Sequence, residues 1–189
     1  TLRTVLPGLY NGYNVLAAAS TALALGMSVE VVADAVRDFV PAFGRGEWIM
    51  IDDHPVTVML AKNPAGFNEV LRTILASGRS VVVVIAINDL TADGRDISWL
   101  WDVDFEMLRG STRAAVVTGL RAADMAVRLK YAGLGEGVIR TEEDEERAIH
   151  LGLEHLEANE PLYVLPTYTA MLRIRQILAR WGHVKAFWE

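Results

Sequence analysis

Lys62-Asn63-Pro64-Ala65-Gly66 sets a cation and an amide just ahead of a proline that can open a helix. A helix start leaves backbone N–H groups free, so this segment suits an anion, with Lys62 as a point charge. It equally suits a proline-initiated turn carrying a surface lysine. A second segment, residues 88–106, holds Asp89, Asp93, Asp96, Asp102, Asp104 and Glu106 around Trp99 and Trp101. The spacing lacks the fixed glycine and closing glutamate of an EF-hand, so an autonomous Mg²⁺ or Ca²⁺ loop is not expected and no metal site is assigned. A single carboxylate can do other work by accepting the ring N–H of a histidine, which fixes its tautomer and orientation. Asp96 is best placed for this, because Asp93-Gly94 makes a turn before it and Ile97-Ser98-Trp99 supply bulky groups that can lock the loop. Capping of turns and helix starts competes for the same carboxylates. In a third segment, Pro166-Thr167-Tyr168-Thr169, the hydroxyls suit the cap of a final helix.

The remaining chemistry is sparse. The histidines at 54, 150, 155 and 183 form neither an HExxH pair nor a nucleophile elbow, and the chain has no GxxxxGK[ST] or GxGxxG phosphate loop. With no cysteine, disulfides, thiolate zinc sites and cysteine nucleophiles are excluded. The chain on its own is therefore a poor candidate for a complete enzyme. A net charge of −6 without a Lys/Arg block argues against a nucleic-acid partner.

Elements must hold these three segments in place. The 189 residues fit one domain, or one domain and a piece of another, and 52% hydrophobic against 22% charged residues excludes a disordered chain. The longest apolar run, residues 81–87, falls far short of the ~20 needed to span a bilayer, and no signal peptide is seen, so no transmembrane segment is expected. A mean hydropathy of +0.24 points instead to strands buried on both faces. Residues 14–25, capped by Asn14 and stopped at Gly26, read as a helix, and residues 29–40, capped by Ser28, as another. Beyond them strands at 47–52, 56–61, 80–87, 114–118, 137–140 and 162–165 alternate with helices at 64–76, 121–131, 142–156 and 168–180. Thr141 is the expected cap of the 142–156 helix, and the second half of residues 96–108 reads as helical. This rhythm predicts an α/β fold, doubly wound around a mostly parallel sheet with the 80–87 strand at its centre. Ligand groups then gather in loops at the carboxyl ends of the strands.

Several segments together resemble a known family. Tyr10-Asn11-Gly12-Tyr13-Asn14-Val15-Leu16-Ala17-Ala18 resembles the N-x-x-N-x-L-A-A helix start that closes the central ATPase domain of Mur ligases, and Gly44-Arg45-Gly46-Glu47 resembles the G-R-x-E element after it. The KNPAG segment, Asn88-Asp89, Ala92-Asp93-Gly94-Arg95-Asp96, Ser98-Trp99 and residues 102–106, with Arg128-Leu129-Lys130 and Tyr168-Thr169, resemble the C-terminal domain of MurT subunits of lipid II isoglutaminyl synthase. The resemblance implies a Rossmann-like C-terminal domain over 41–189, preceded at 1–40 by the last helices of the ATPase domain. It implies a partner, a GatD-type cysteine glutaminase, that supplies ammonia. ATP and Mg²⁺ then serve to activate the D-glutamate α-carboxyl of lipid II for conversion to D-isoglutamine. Asp96 would complete the partner's catalytic triad, with Asp93, Gly94, Trp99 and Asp102 supporting the loop. Asn11, Asn14, Arg45, Lys62 and Asn63 would face the nucleotide. The family's P-loop, Mg²⁺ ligands and zinc ribbon belong to upstream parts, so the chain, which starts at Thr1 without a methionine, is expected to be a fragment inactive alone. The expected location is cytoplasmic, at the inner face of the plasma membrane. Rival readings are the tail of a folylpolyglutamate- or cyanophycin-type ligase, which would dock no glutaminase, and a non-catalytic scaffold.

Overall fold

The structure is a computed structural model that describes residues 1–39, 41 and 45–184. Two helices, α1 (Leu9–Ala24) and α2 (Val29–Arg37), precede the sheet. The strands are β1 (Arg45–Ile51), β2 (His54–Met59), β3 (Val81–Ala86), β4 (Thr112–Thr118), β5 (Ile139–Thr141) and β6 (Leu162–Pro166). Their order across the sheet is β1-β2-β6-β3-β4-β5, with β1 antiparallel to β2 and the other neighbours parallel. Four helices complete the fold: α3 (Pro64–Leu75), α4 (Ala122–Tyr131), α5 (Glu145–Glu154) and α6 (Tyr168–Arg180). The doubly wound α/β reading holds, with β1 as the antiparallel edge.

Side-chain alternation along β3 sorts the core into two layers. Val81, Val83 and Ile85 join Phe67, Leu71 and Ile74 of α3 and Met125 and Leu129 of α4 on one face. Val82, Val84 and Ala86 join Ala148 and Ile149 of α5 and Met171, Ile174 and Leu178 of α6 on the other. A strand covered on both sides has no polar face to present, which is why β3 is unbroken Val, Ile and Ala. Among the described residues no helix is long and apolar enough to cross a membrane.

Several boundaries differ from the sequence expectation. α1 starts at Leu9 behind Gly8, and Asn14 lies inside it instead of capping it. α2 ends at Arg37, three residues short of the expected stop. α5 begins at Glu145, capped by Asp144, whose side chain accepts the Arg147 N–H. Thr141 does not cap it, because Thr141 is still in β5 and the next N–H, that of Glu142, bonds to the Val117 carbonyl. Residues 98–108 form no α-helix but two short 3₁₀ turns, Ser98–Asp102 and Phe105–Leu108. Val103 leaves the helical conformation at φ −89° and ψ 135°, its carbonyl accepting both from the Arg128 guanidinium and from the Phe105 N–H, so the ladder stops there.

Because β2, β6 and β3 are parallel neighbours, their carboxyl ends lie side by side. The loop after β6 therefore stands between the Lys62 loop and the Asp96 loop. All three segments singled out by their chemistry share one edge of the sheet.

Candidate functional site

The loop leaving β3 is anchored before it reaches Asp96. Asn88, 1% exposed, ends the strand with its N–H donated to Thr167 Oγ1 at 2.9 Å and its Nδ2 to Thr169 Oγ1 at 3.0 Å. Its Oδ1 accepts the Leu120 N–H at 2.9 Å, joining the β4 loop to the same point. Asp89 pairs with Arg121 at the head of α4, and that hydrogen bond holds its carboxyl below the ordinary carboxylate range. Asp93 then crosses to α6, where Oδ1 accepts the Thr169 N–H at 2.8 Å and Oδ2 the Thr169 hydroxyl at 2.6 Å. The first turn of α6 is thus capped by a carboxylate far away in sequence. The Thr167 hydroxyl, expected to cap the helix, makes no cap bond and is bonded instead by the Asn88 N–H.

Gly94 follows at φ 90°, a left-handed conformation open to glycine and strained for other residues. Asp96 comes next and is exposed, with Oδ1 accepting the Ser98 N–H at 2.8 Å. The Ser98 backbone N–H, and then its hydroxyl, hold the Asp96 carboxyl below the ordinary carboxylate range, so it is anionic at neutral pH. Below it Trp99 is half-buried against the core, its ring 6.3 Å from that of Phe67. Asp102 closes the first 3₁₀ turn and is exposed. Asp96, Ser98 and Trp101 from the loop and Asp124, Val127 and Arg128 from α4 line a cleft of about 510 Å³.

Arg128, part of the resemblance but given no role by the sequence, turns out to build the wall of this cleft. It is 4% exposed, donates to the Leu100 carbonyl at 3.1 Å and the Val103 carbonyl at 2.6 Å, and meets both Glu106 oxygens at 3.0 Å. The guanidinium also lies 5.4 Å from the Trp101 ring centroid and 5.3 Å from that of Phe105. It fastens both 3₁₀ turns to α4 and so fixes the far wall of the Asp96 cleft. A signal was present: Arg128 sits between Met125 and Leu129, on the stripe of α4 that faces the core.

The acidic segment does not converge on a point. Besides the carboxylates already described, Asp104 lies 3.8 Å from Arg72 and Glu106 is on Arg128. Among the described residues no group of three or more His, Asp or Glu side chains could hold a metal ion.

A second cleft, about 370 Å³, brings Asn11 and Asn14 of α1 together with Lys62 and Asn63 after β2. Asn11 is buried and occupied locally: its Nδ2 donates to the Pro7 carbonyl at 2.7 Å and its Oδ1 accepts from Asn14 Nδ2 at 3.3 Å. Its role in the cleft is to hold Asn14, which is exposed. Asn63 caps α3, its Oδ1 accepting the Gly66 N–H at 2.8 Å. Pro64 has no N–H and Phe67 donates to the Asn63 carbonyl, so the Ala65 N–H is the donor of the first turn left for an anion, beside the exposed Lys62. Gly44 and the Arg45 side chain lie outside the described residues.

Residues 60–171 match the family described as MurT ligase C-terminal. The chain is 33% identical over 173 residues to the MurT subunit of lipid II isoglutaminyl synthase (glutamine-hydrolyzing) from Streptococcus pneumoniae, covering 91% of this chain and 38% of that protein. It is 32% identical over 176 residues to the MurT subunit from Staphylococcus aureus, covering 93% of this chain and 39% of that protein. The chain thus spans about two fifths of the length of these curated relatives. Among solved structures, MurF from Acinetobacter baumannii superposes with a TM-score of 0.70 at 21% identity, over 95% of this chain and 39% of that one. Folylpolyglutamate synthase from Mycobacterium tuberculosis superposes with a TM-score of 0.69 at 20% identity, over 93% of this chain and 42% of that one, and both likenesses establish the fold. With a family match over more than half its length, carrying both the KNPAG loop and the Asp96 loop, the chain belongs to the MurT ligase C-terminal family.

Proposed function

We propose that this chain is the C-terminal part of the synthetase subunit of a lipid II isoglutaminyl synthase. In this reading residues 1–40 are the closing helices of the central ATPase domain and residues 41–189 the C-terminal domain. The whole enzyme phosphorylates the D-glutamate α-carboxylate of lipid II with ATP, giving an acyl phosphate. Ammonia from a GatD-type glutaminase then attacks the acyl carbon and displaces phosphate, leaving the amide of D-isoglutamine. The work is cytoplasmic, at the inner face of the plasma membrane where the lipid-linked substrate is held.

The observation that carries the reading is the state of Asp96. Its carboxylate is exposed, anionic and restrained by Ser98 on a turn braced by Trp99. An exposed, oriented anion beside an open cleft is what a histidine of another polypeptide needs to find: the carboxylate accepts the imidazole N–H and stabilises the imidazolium formed when the cysteine proton is taken. Supplying it from a second subunit keeps glutamine hydrolysis idle until the two dock. The other cleft suits an adenine nucleotide, with Asn14 available to the base and Lys62, beside the start of α3, available to phosphate oxygens. Mg²⁺ would arrive with the phosphates, its protein ligands lying upstream.

The test is kinetic, in a complex of the full-length subunit with its glutaminase. Asp96→Asn is expected to lower glutamine hydrolysis by ~10³–10⁴-fold, the scale of a lost triad acid, while ligation driven by added ammonium salt persists. Unchanged glutamine hydrolysis would leave Asp96 a surface residue and the domain a scaffold.

A further inference from the structure

The Asp96 loop leaves the sheet at Asn88, is paired to the head of α4 through Asp89, and is tied to α6 through Asn88 and Asp93. The two ties to α6 meet at one atom. Thr169 Oγ1 donates to Asp93 Oδ2 at 2.6 Å and accepts from Asn88 Nδ2 at 3.0 Å, so a single hydroxyl closes the loop onto the first turn of α6. The bond to Asp93 is short and charge-assisted, the stronger class of hydrogen bond. Asn88 is 1% exposed and has its Oδ1 on the Leu120 N–H, so it has a fixed orientation from which to donate. Gly94 and Arg95 separate Asp93 from Asp96, and Ser98 and Trp99 hold the other side. The carboxylate is suspended between a hydrogen-bonded clamp and an aromatic brace.

We propose that Thr169 is a positioning residue for Asp96, acting through Asp93 and oriented by Asn88. The proposal rests on the triad reading of Asp96 and adds that the reading depends on a hydroxyl of α6 that never touches the partner's histidine. Valine in place of Thr169 keeps the branched shape and the backbone N–H to Asp93 Oδ1. It removes the donor from α6 to Oδ2, leaving there only the Leu90 N–H of the loop itself at 3.2 Å, and leaves Asn88 Nδ2 without its acceptor. The Asp93 carboxylate is then tied to α6 at one oxygen instead of two. A displacement of about 1 Å in a catalytic group lowers turnover by ~10²-fold.

The experiment uses the full-length subunit with its glutaminase and compares Thr169→Val, Thr169→Ser and Asp96→Asn. Thr169→Val is expected to reduce kcat for glutamine hydrolysis by ~10–10²-fold with KM for glutamine unchanged, while ammonia-driven ligation stays at the wild-type rate. Thr169→Ser, which restores the hydroxyl, is expected within about threefold of wild type. Wild-type glutamine turnover in Thr169→Val would overturn the proposal. So would an equal loss in the serine variant, or a parallel loss of ammonia-driven ligation, since neither effect would pass through the hydroxyl to Asp96. If Asp96→Asn is crippled and Thr169→Val is not, the positioning role alone falls. If Asp96→Asn is active, the triad reading falls and takes this proposal with it.

Discussion

Replacing Arg128 with alanine isolates the clamp behind the Asp96 cleft. The guanidinium is 5% exposed, whereas the Glu106 side chain it meets is 59% exposed, so the two ends of this ion pair are not equivalent. Loss of the arginine takes a donor from the carbonyls of Leu100 and Val103, residues that are 2% and 1% exposed, although the Val103 oxygen keeps the Phe105 N–H. The loss costs ~1–3 kcal/mol at the Leu100 carbonyl and ~0.5–1.5 kcal/mol at the Val103 carbonyl, which stays bonded. Stacking on Trp101 and Phe105 adds ~0.5–2 kcal/mol, and the exposed carboxylate, rehydrated once released, adds under ~1 kcal/mol. The total for Arg128→Ala is about 3–5 kcal/mol, the lower part of the summed range because the turns can relax toward water. For a chain of this size that lowers the melting midpoint by roughly 6–20 °C. Glu106→Ala should cost under ~1 kcal/mol, a shift of at most about 4 °C, because its partner keeps both carbonyls and both rings. Thermal unfolding followed by circular dichroism reads both variants. A loss below ~1 kcal/mol for Arg128→Ala, or equal losses for the two, would refute the reasoning that the carbonyls and not the ion pair carry the energy.

Three further outcomes follow from the geometry. Arg128, Arg113 and Arg121 hold the carboxyls of Glu106, Glu160 and Asp89 below their ordinary range by hydrogen bonds. Their stabilisation is fully present above the unfolded-state value, about 4, and lost as pH falls through the lower folded value. Unfolding free energy should therefore be level from pH 7 to about 5 and decline below about 4, with a shallower acid limb in Glu160→Gln; an unchanged limb would contradict the assignment. Gly119→Ala should be more damaging than Gly94→Ala, although both have φ near 90°, because the added Cβ lies 2.7 Å from the Ile87 carbonyl oxygen in one case and in open space in the other. Gly94→Ala is expected to cost about 1–2 kcal/mol by urea unfolding, and a Gly119→Ala cost no greater would show that the loops give way freely. In Gly152→Ala the new Cβ lies 2.8 Å from Val84 Cγ2 and 2.9 Å from Leu162 Cδ1, so those buried side chains or α5 must shift. Overpacking of ~1–3 kcal/mol should outweigh the ~1 kcal/mol that alanine contributes to a helix, and a more stable variant would show slack at that contact.

Much of the architecture was legible because burial on two faces leaves a plain mark. The unbroken run of β3 announced a central strand, and Pro64 announced the start of α3. Boundaries governed by distant partners were not legible. Nothing local tells that Glu142 will bond to Val117 and delay α5, or that Val103 will turn extended, its carbonyl on Arg128, and break residues 98–108 into two turns. At the candidate site the sequence marked the loops and the turn before Asp96, and the strand order then brought the loops to one edge. It could not show that Asn11 and Asn63 are engaged in local bonds that leave Asn14 and Lys62 exposed. Nor could it show that Thr169 joins Asn88 to Asp93, since a bond between residues 76 positions apart has no local signature.

The most direct measurement is a crystal structure of the full-length subunit bound to its glutaminase. An Asp96 carboxylate oxygen is expected within ~2.6–3.2 Å of a ring nitrogen of the glutaminase's catalytic histidine. An Asp96 still facing solvent in the complex, or a glutaminase docked on another edge of the sheet, would contradict the role assigned to it.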